Sequence, residues 1–175
     1  EYLFAWRGRG VSPGRSSWSV EPEKGVRIIG FDVTMEGKPY GEASPAALKW
    51  LANELEASRK MRLVIVVTHQ PLLPTTPRDS TPEGALWMVR NHATVREVLE
   101  QHPNVRMVIS GHHHASRVET VNNITYVADP AIVTYPCAFR VFTVSRDGIH
   151  LRNVGLDEQN IVNKARELLL ADPYA

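Results

Sequence analysis

Cysteine is almost missing from this chain. Cys137 stands alone among 175 residues, so no internal disulfide can form and a stapled secreted scaffold is excluded. Long apolar runs are missing as well. No stretch approaches the roughly 18 consecutive apolar residues of a membrane span, and no signal-peptide pattern is visible. These absences point to a cytoplasmic protein that does not cross a membrane. Charge of one sign is not in excess either: 20 Lys and Arg against 19 Asp and Glu leave a formal net charge of +1. Bulk electrostatics therefore gives no reason to expect a nucleic-acid or membrane-surface partner. The first residue is Glu1 rather than Met, so the chain is expected to be a piece of something longer.

What is present is an ordinary globular composition, 43% hydrophobic and 22% charged, on a chain long enough for one domain with a real core. Residues 1–6 read as a short strand. A Gly, Arg and Ser-rich loop follows, and its Arg7, Arg9 and Arg15 are read as solvated rather than phosphate-binding. Strands are expected at 18–20 and 26–33; Asp32, a lone carboxylate at the end of the second, is not taken for a ligand. Ser44-Pro45 opens a helix, with Ser as N-cap and Pro in the first turn, and Leu48, Leu51, Ala52 and Leu55 form its buried stripe.

Residues 61–67 (MRLVIVV) make a continuous apolar strand covered on both faces. Pro71, Pro74, Pro77 and Pro82 then hold a long loop expected to contain neither helix nor strand. Residues 83–102 are helical in two pieces broken near Asn91, with Val95, Val98 and Leu99 facing inward. Residues 105–109 are a further buried strand. Asn122-Asn123 and Asp147-Gly148 each mark the turn of a hairpin. A last helix over 157–171 carries Ile161, Ala165, Leu168 and Leu169 on one face. The order predicts an α/β domain, a mixed β-sheet flanked by helices.

Two buried strands end in histidine. One closes as Val67-Thr68-His69, the other runs into Gly111-His112-His113-His114. A single helical crossover separates them, so they are expected to lie side by side and parallel, with any site beyond their carboxyl ends. If extended alternation continues past Gly111, His112 and His114 share a side and His113 points away. His69, His112 and His114 can then converge on one crevice as metal ligands, since imidazole is a common ligand for Zn and neighbouring transition metals. If they reach a common point, one Zn²⁺ with an open fourth position is a possible arrangement.

The run Val64 to Leu72 (VIVVTHQPL) followed by Val108 to His114 (VISGHHH) resembles the last two metal motifs of the calcineurin-like metallophosphoesterases. The spacing, the intervening helix, the Ser-Pro-opened helix and the downstream Asp129-Pro130-Ala131 are similar too. The resemblance implies the C-terminal half of a four-layer αββα sandwich that hydrolyses phosphomonoesters or phosphodiesters. It implies a binuclear centre of two divalent or trivalent ions (Mn, Fe or Zn), with His69 and His112 on one metal and His114 on the other. His113 fills the family's variable position, with a structural role. Arg117 is assigned to a surface ion pair, and Cys137 to a buried packing role.

The family's first three motifs, Asp-any-His, Gly-Asp-any-any-Asp and Gly-Asn-His-acid, are missing. Asn91-His92 resembles the third only superficially, because it follows Arg90 and lies after the strand-His motif. The bridging carboxylate, the asparagine ligand and the proton-donating histidine are thus expected upstream of Glu1, which leaves the catalytic residues unknown. By the resemblance, the isolated chain is expected to be inactive and to need its missing N-terminal half, a partner chain or a second copy. The competing expectation is a catalytically incomplete scaffold or metal-binding module.

Overall fold

The structure is a computed structural model and describes residues 16–172. The strand expected over 1–6 and the arginines Arg7, Arg9 and Arg15 lie outside those residues. Strands β1 (Trp18–Glu23) and β2 (Val26–Gly30) pair antiparallel. Gly25 makes the turn between them at φ 81°, a left-handed conformation that glycine adopts without steric cost. β2 stops at Gly30, three residues short of the expected end, because the chain leaves the ladder for the turns that lead to helix α1 (Pro45–Ala57). The Ser44 hydroxyl accepts from the Ala47 amide at 3.1 Å, which satisfies one of the amides a helix start leaves free.

Beyond α1 come β3 (Leu63–Val67), helix α2 (His92–Glu100), β4 (Val105–Ser110), β5 (Arg117–Val121) and β6 (Ile124–Ala128). They complete a six-stranded sheet in the order β1-β2-β3-β4-β6-β5. β2, β3, β4 and β6 run parallel, and β1 and β5 are antiparallel edges. The β5–β6 turn uses Asn122 and Asn123 at φ 49° and 64°, the two successive left-handed residues a tight hairpin requires. A second sheet of β7 (Ala138–Val144) and β8 (Ile149–Gly155) follows, then helix α3 (Gln159–Ala171). The mixed α/β class expected from the element order is what the chain builds.

Alternation along the central strands creates two cores. Val64, Val66 and Val108 face the helices and pack with Leu51, Leu55, Val95 and Leu99. Leu63, Ile65 and Met107 face the other way and pack beneath Phe142, Val144, Ile149 and Leu151 of the second sheet. Both faces of β3 are thus covered, which explains its unbroken apolar sequence; β4 is covered likewise over Met107–Ile109, with Arg106 exposed near its start.

One expectation needs correction: the proline-rich segment is not free of helix, since Pro77–Ser80 forms a 3-10 turn. Of the two helical pieces expected over 83–102, the first is the short 3-10 turn Gly84–Trp87 and the second is the α-helix His92–Glu100, with a gap between them at 88–91. The reason for the gap is tertiary. Residues 88–91 are drawn into backbone bonds with Gly41 (Gly41 N to Met88 O, 3.0 Å; Arg90 N to Gly41 O, 2.8 Å). The Asn91 side chain, meanwhile, bonds Ala43 through both its oxygen (2.9 Å) and its nitrogen (2.8 Å).

Leu51 is fully buried between α1 and the sheet, so Leu51→Ala should lower the unfolding free energy by about 2–5 kcal/mol. Urea denaturation would read this as a lower midpoint at unchanged slope, and an unchanged midpoint would contradict the packing. Burial also holds the imidazoles of His92 and His102 below the ordinary histidine value, with Arg96 adding to the effect at His92 and Glu56 opposing it at His102. The unfolded chain therefore binds more protons than the folded one near an unfolded pKa of about 6.5. Stability present above that pH is lost as the pH falls through the lower folded values. The thermal midpoint should drop between about pH 7.5 and about pH 5.5; a flat profile would show that both imidazoles charge freely in the fold.

Candidate metal centre

The ladder between β3 and β4 continues past both strands. Thr68 N donates to Ile109 O at 2.9 Å, and Gly111 N donates to His69 O at 3.0 Å. These bonds bring the two histidine-bearing strand ends to one edge of the sheet. There His112 Nδ1 lies 3.0 Å from His69 Nε2, and the rings meet edge-on at 4.8 Å.

The cause differs from strand alternation. β4 ends at Ser110, and His112 and His114 take left-handed backbone, φ 65° and 54°. Gly111–His114 is a turn, and the His113 amide bonds back to Gly111 O at 2.8 Å. The alternation argument therefore does not apply beyond Ser110. His69 and His112 are brought together. His114 is half-buried and stays within electrostatic reach of His112. Among the described residues no three His, Cys, Asp or Glu side chains form a group set to hold a metal ion.

The His112 imidazole is pushed below its ordinary value, first by burial and then by repulsion from His69 and His113. It is therefore neutral near pH 7, the form in which a nitrogen can serve as a ligand. The Pro39 backbone carbonyl, which accepts from the His112 ring, opposes the shift without cancelling it. The 3.0 Å between the facing nitrogens is close to the roughly 3.0–3.4 Å separating two imidazole nitrogens that share a metal at about 2.1 Å. In nitrogen chemistry and spacing the pair fits one metal ion. It brings no negative charge.

His113 has its own partners. Its Nδ1 meets the Thr75 hydroxyl at 2.7 Å and the Asp79 carboxylate at 3.1 Å, and its Nε2 donates to Trp87 O at 3.1 Å. The His113 and Asp79 side chains are only 8% and 5% exposed. Burial works to raise the Asp79 carboxyl. The amides of Thr76 and Thr75, the Thr75 hydroxyl and the charge of His113 outweigh it and hold the group below the usual carboxylate range. The structural role expected for His113 is thus specific: it ties the proline-rich loop to the histidine turn. Sequence reasoning passed over Asp79, Thr75 and Trp87. One signal was available, because Thr76-Pro77-Arg78-Asp79 has the order of a capping box, and Asp79 does reach back to the Thr76 amide at 2.9 Å.

The remaining candidates have ordinary partners. Arg117 pairs with Glu119 at 2.7 Å on the surface. Cys137 is buried and unpaired. Asp32 accepts from the Thr34 amide at 2.9 Å within its own turn. His92 stands at the first turn of α2 and shares a pocket with Asp79 and Arg90.

No family model matches the chain. A cAMP/cGMP dual specificity phosphodiesterase of Mycobacterium tuberculosis is 29% identical to it over 140 residues, 79% of this chain and 40% of that one. A manganese-dependent ADP-ribose/CDP-alcohol diphosphatase of Xenopus tropicalis is 30% identical over 76% of this chain and 37% of its own length. The chain thus spans about two fifths of the length of these curated relatives. A dimetal phosphatase from Danio rerio superposes with a TM-score of 0.65 at 18% identity, over 79% of this chain and 57% of that one. The histidine-bearing strand pair, the matching fold and these relatives together support a calcineurin-like metallophosphoesterase.

Proposed function

We propose that this chain supplies the histidine ligands of a binuclear metal centre, and that the complete domain hydrolyses phosphomonoesters or phosphodiesters. The observation that carries the reading is the His69–His112 pair, two facing ring nitrogens 3.0 Å apart on adjacent parallel strand ends. Relatives named a phosphodiesterase and a diphosphatase support the bond class, and the manganese dependence in one name supports a divalent ion.

His69 and His112 hold one metal and His114 the second. Ions at such a site supply Lewis acidity toward phosphoryl oxygens and an acidified water. The contribution of this chain is to hold neutral imidazoles at fixed spacing. Burial and mutual repulsion keep His112 unprotonated, and the His113–Asp79 contact keeps the adjoining loop in place.

The charge the site lacks must come from elsewhere. Asp79 is committed to Thr75, Thr76 and His113, and Asp129 is bonded to Arg140 at 3.0 Å. The family's Asp-any-His, Gly-Asp-any-any-Asp and Gly-Asn-His-acid motifs supply the carboxylates, from the missing half, a partner chain or a second copy. Exposed apolar side chains support such an assembly: Val133 at 80%, Leu170 at 74% and Leu168 at 62% exposure, with no fully buried residue on α3. Isolated, the chain binds metal weakly and turns over little. The lack of a free carboxylate near the pair also favours a second reading, a metal-binding or protein-interaction module without catalysis.

Isothermal titration with Mn²⁺ tests the ligand assignment. His69→Ala and His112→Ala should each lower affinity by about tenfold or more, while His150→Ala, on β8, should leave it unchanged. Equal affinities for all three variants and the parent would remove the assignment. Hydrolysis of a model aryl phosphate with Mn²⁺ present should stay near background for the isolated chain, and ordinary enzymatic rates would overturn the expectation of inactivity.

A further inference from the structure

Trp87 ends the 3-10 turn Gly84–Trp87, and its indole lies 5.6 Å from the His112 ring at a tilt of 33°. That is within the range of favourable aromatic contact. Yet the residue is 45% exposed, and its neighbour Leu86 equally so. Packing does not require it to be there, for the loop is anchored by the next two residues, Met88 and Val89, at 3% and 0% exposure. An indole left half in water forfeits hydrophobic free energy that burial would provide. An exposed large aromatic ring on a fixed loop beside a candidate metal ligand is therefore a surface looking for a partner.

The loop is fixed from several sides. Trp87 O accepts from His113 Nε2 at 3.1 Å, and His113 is held in turn by Thr75 and Asp79. Val89 N donates to Pro71 O at 3.2 Å. Gly84 packs so tightly on the Arg78 backbone carbonyl that any Cβ there would collide with it. The two 3-10 turns thus have no slack between them, and the ring is set before any ligand arrives. Preorganisation of this kind spares the ordering cost that binding otherwise incurs.

We propose that Trp87 is a stacking platform and that the site selects phosphoesters carrying a flat aromatic group, a nucleobase or an aryl ring, over aliphatic ones. The inference deepens the phosphoesterase reading and rests on it for the phosphoryl end of the ligand. A phosphoryl group at the His69–His112 pair leaves its organic substituent to run across the adjoining surface, and the indole beside His112 offers that substituent a flat apolar face. Stacking on an aromatic side chain suits any base, because every base has a π-face.

Binding of adenosine 5′-monophosphate, ribose 5-phosphate and adenosine to the chain, measured by isothermal titration with Mn²⁺ present, tests this without recourse to turnover. The nucleotide should bind about 5- to 100-fold more tightly than ribose 5-phosphate. Trp87→Ala should remove most of that preference, and Trp87→Phe should keep most of it. The thermal midpoint should hardly move in either variant, since Met88 and Val89 carry the packing. Equal binding of the two phosphates, no measurable binding of nucleotide or nucleoside, or a preference that survives Trp87→Ala would overturn the platform. If adenosine binds as tightly as its monophosphate and loses affinity in Trp87→Ala, the platform stands and the phosphoesterase reading falls.

Discussion

The structure depends on two backbone hydrogen bonds that lie outside any regular strand, Thr68 N to Ile109 O and Gly111 N to His69 O. They extend the β3–β4 ladder past the last strand residues and so set the spacing of His69 and His112. Each bond is worth little net free energy alone. Their geometry is enforced because both strands are clamped between a helical layer and a second sheet. A shift of one residue in that register would turn every inward side chain outward. The position of the imidazole pair is therefore as well determined as the hydrophobic core itself.

That precision brings an electrostatic difficulty with it. Imidazoles crowd at one sheet edge, and the described carboxylates nearby are already engaged. Asp79 serves the loop through Thr75, Thr76 and His113. Asp129 faces Arg140, whose guanidinium also bonds Ala128 O, Ser116 Oγ and Asn153 Oδ1 and thereby ties the second sheet to the first. With no free anion to favour the charged form, burial and mutual repulsion keep His112 neutral. Among the described residues the His69–His112 pair thus combines a neutral imidazole with no free carboxylate beside it, which is why the proposed centre needs its negative charge from outside these residues.

The sheet was legible in the chain because its signals are local or periodic. The unbroken apolar run at 63–67 and the largely apolar run at 105–109 announced buried strands, one crossover announced parallel neighbours, and Asn122-Asn123 announced a hairpin. The histidine pair followed from the strands. The turn that carries His113 and His114 did not, because the alternation rule presumes extended backbone, and Gly111 marks where extended backbone stops. The loop over 71–91 was harder still. Prolines punctuate it and the Thr76–Asp79 capping box is local, but the path of residues 88–91 is set by contacts with Gly41 and Ala43, some forty residues or more away in the chain. Helix α3 shows the converse: its 3.6-residue periodicity was plain, yet periodicity cannot say what the stripe faces, and no residue of the helix is fully buried.

The Gly111–His114 turn couples two tasks that could have been separate. His112 points to His69, while His113, the next residue, reaches the loop through Thr75, Asp79 and the Trp87 carbonyl. The two adjacent residues share one short left-handed turn, with φ 65° at His112 and 54° at His114, so the bonds that hold His113 also hold the backbone that carries His112. His113 thus joins the turn that carries His112 to the loop that carries Trp87. A substitution that removes its bonds should disturb the His69–His112 contact and the Trp87 loop together, whereas one confined to the exposed face of Trp87 should leave the histidines in place.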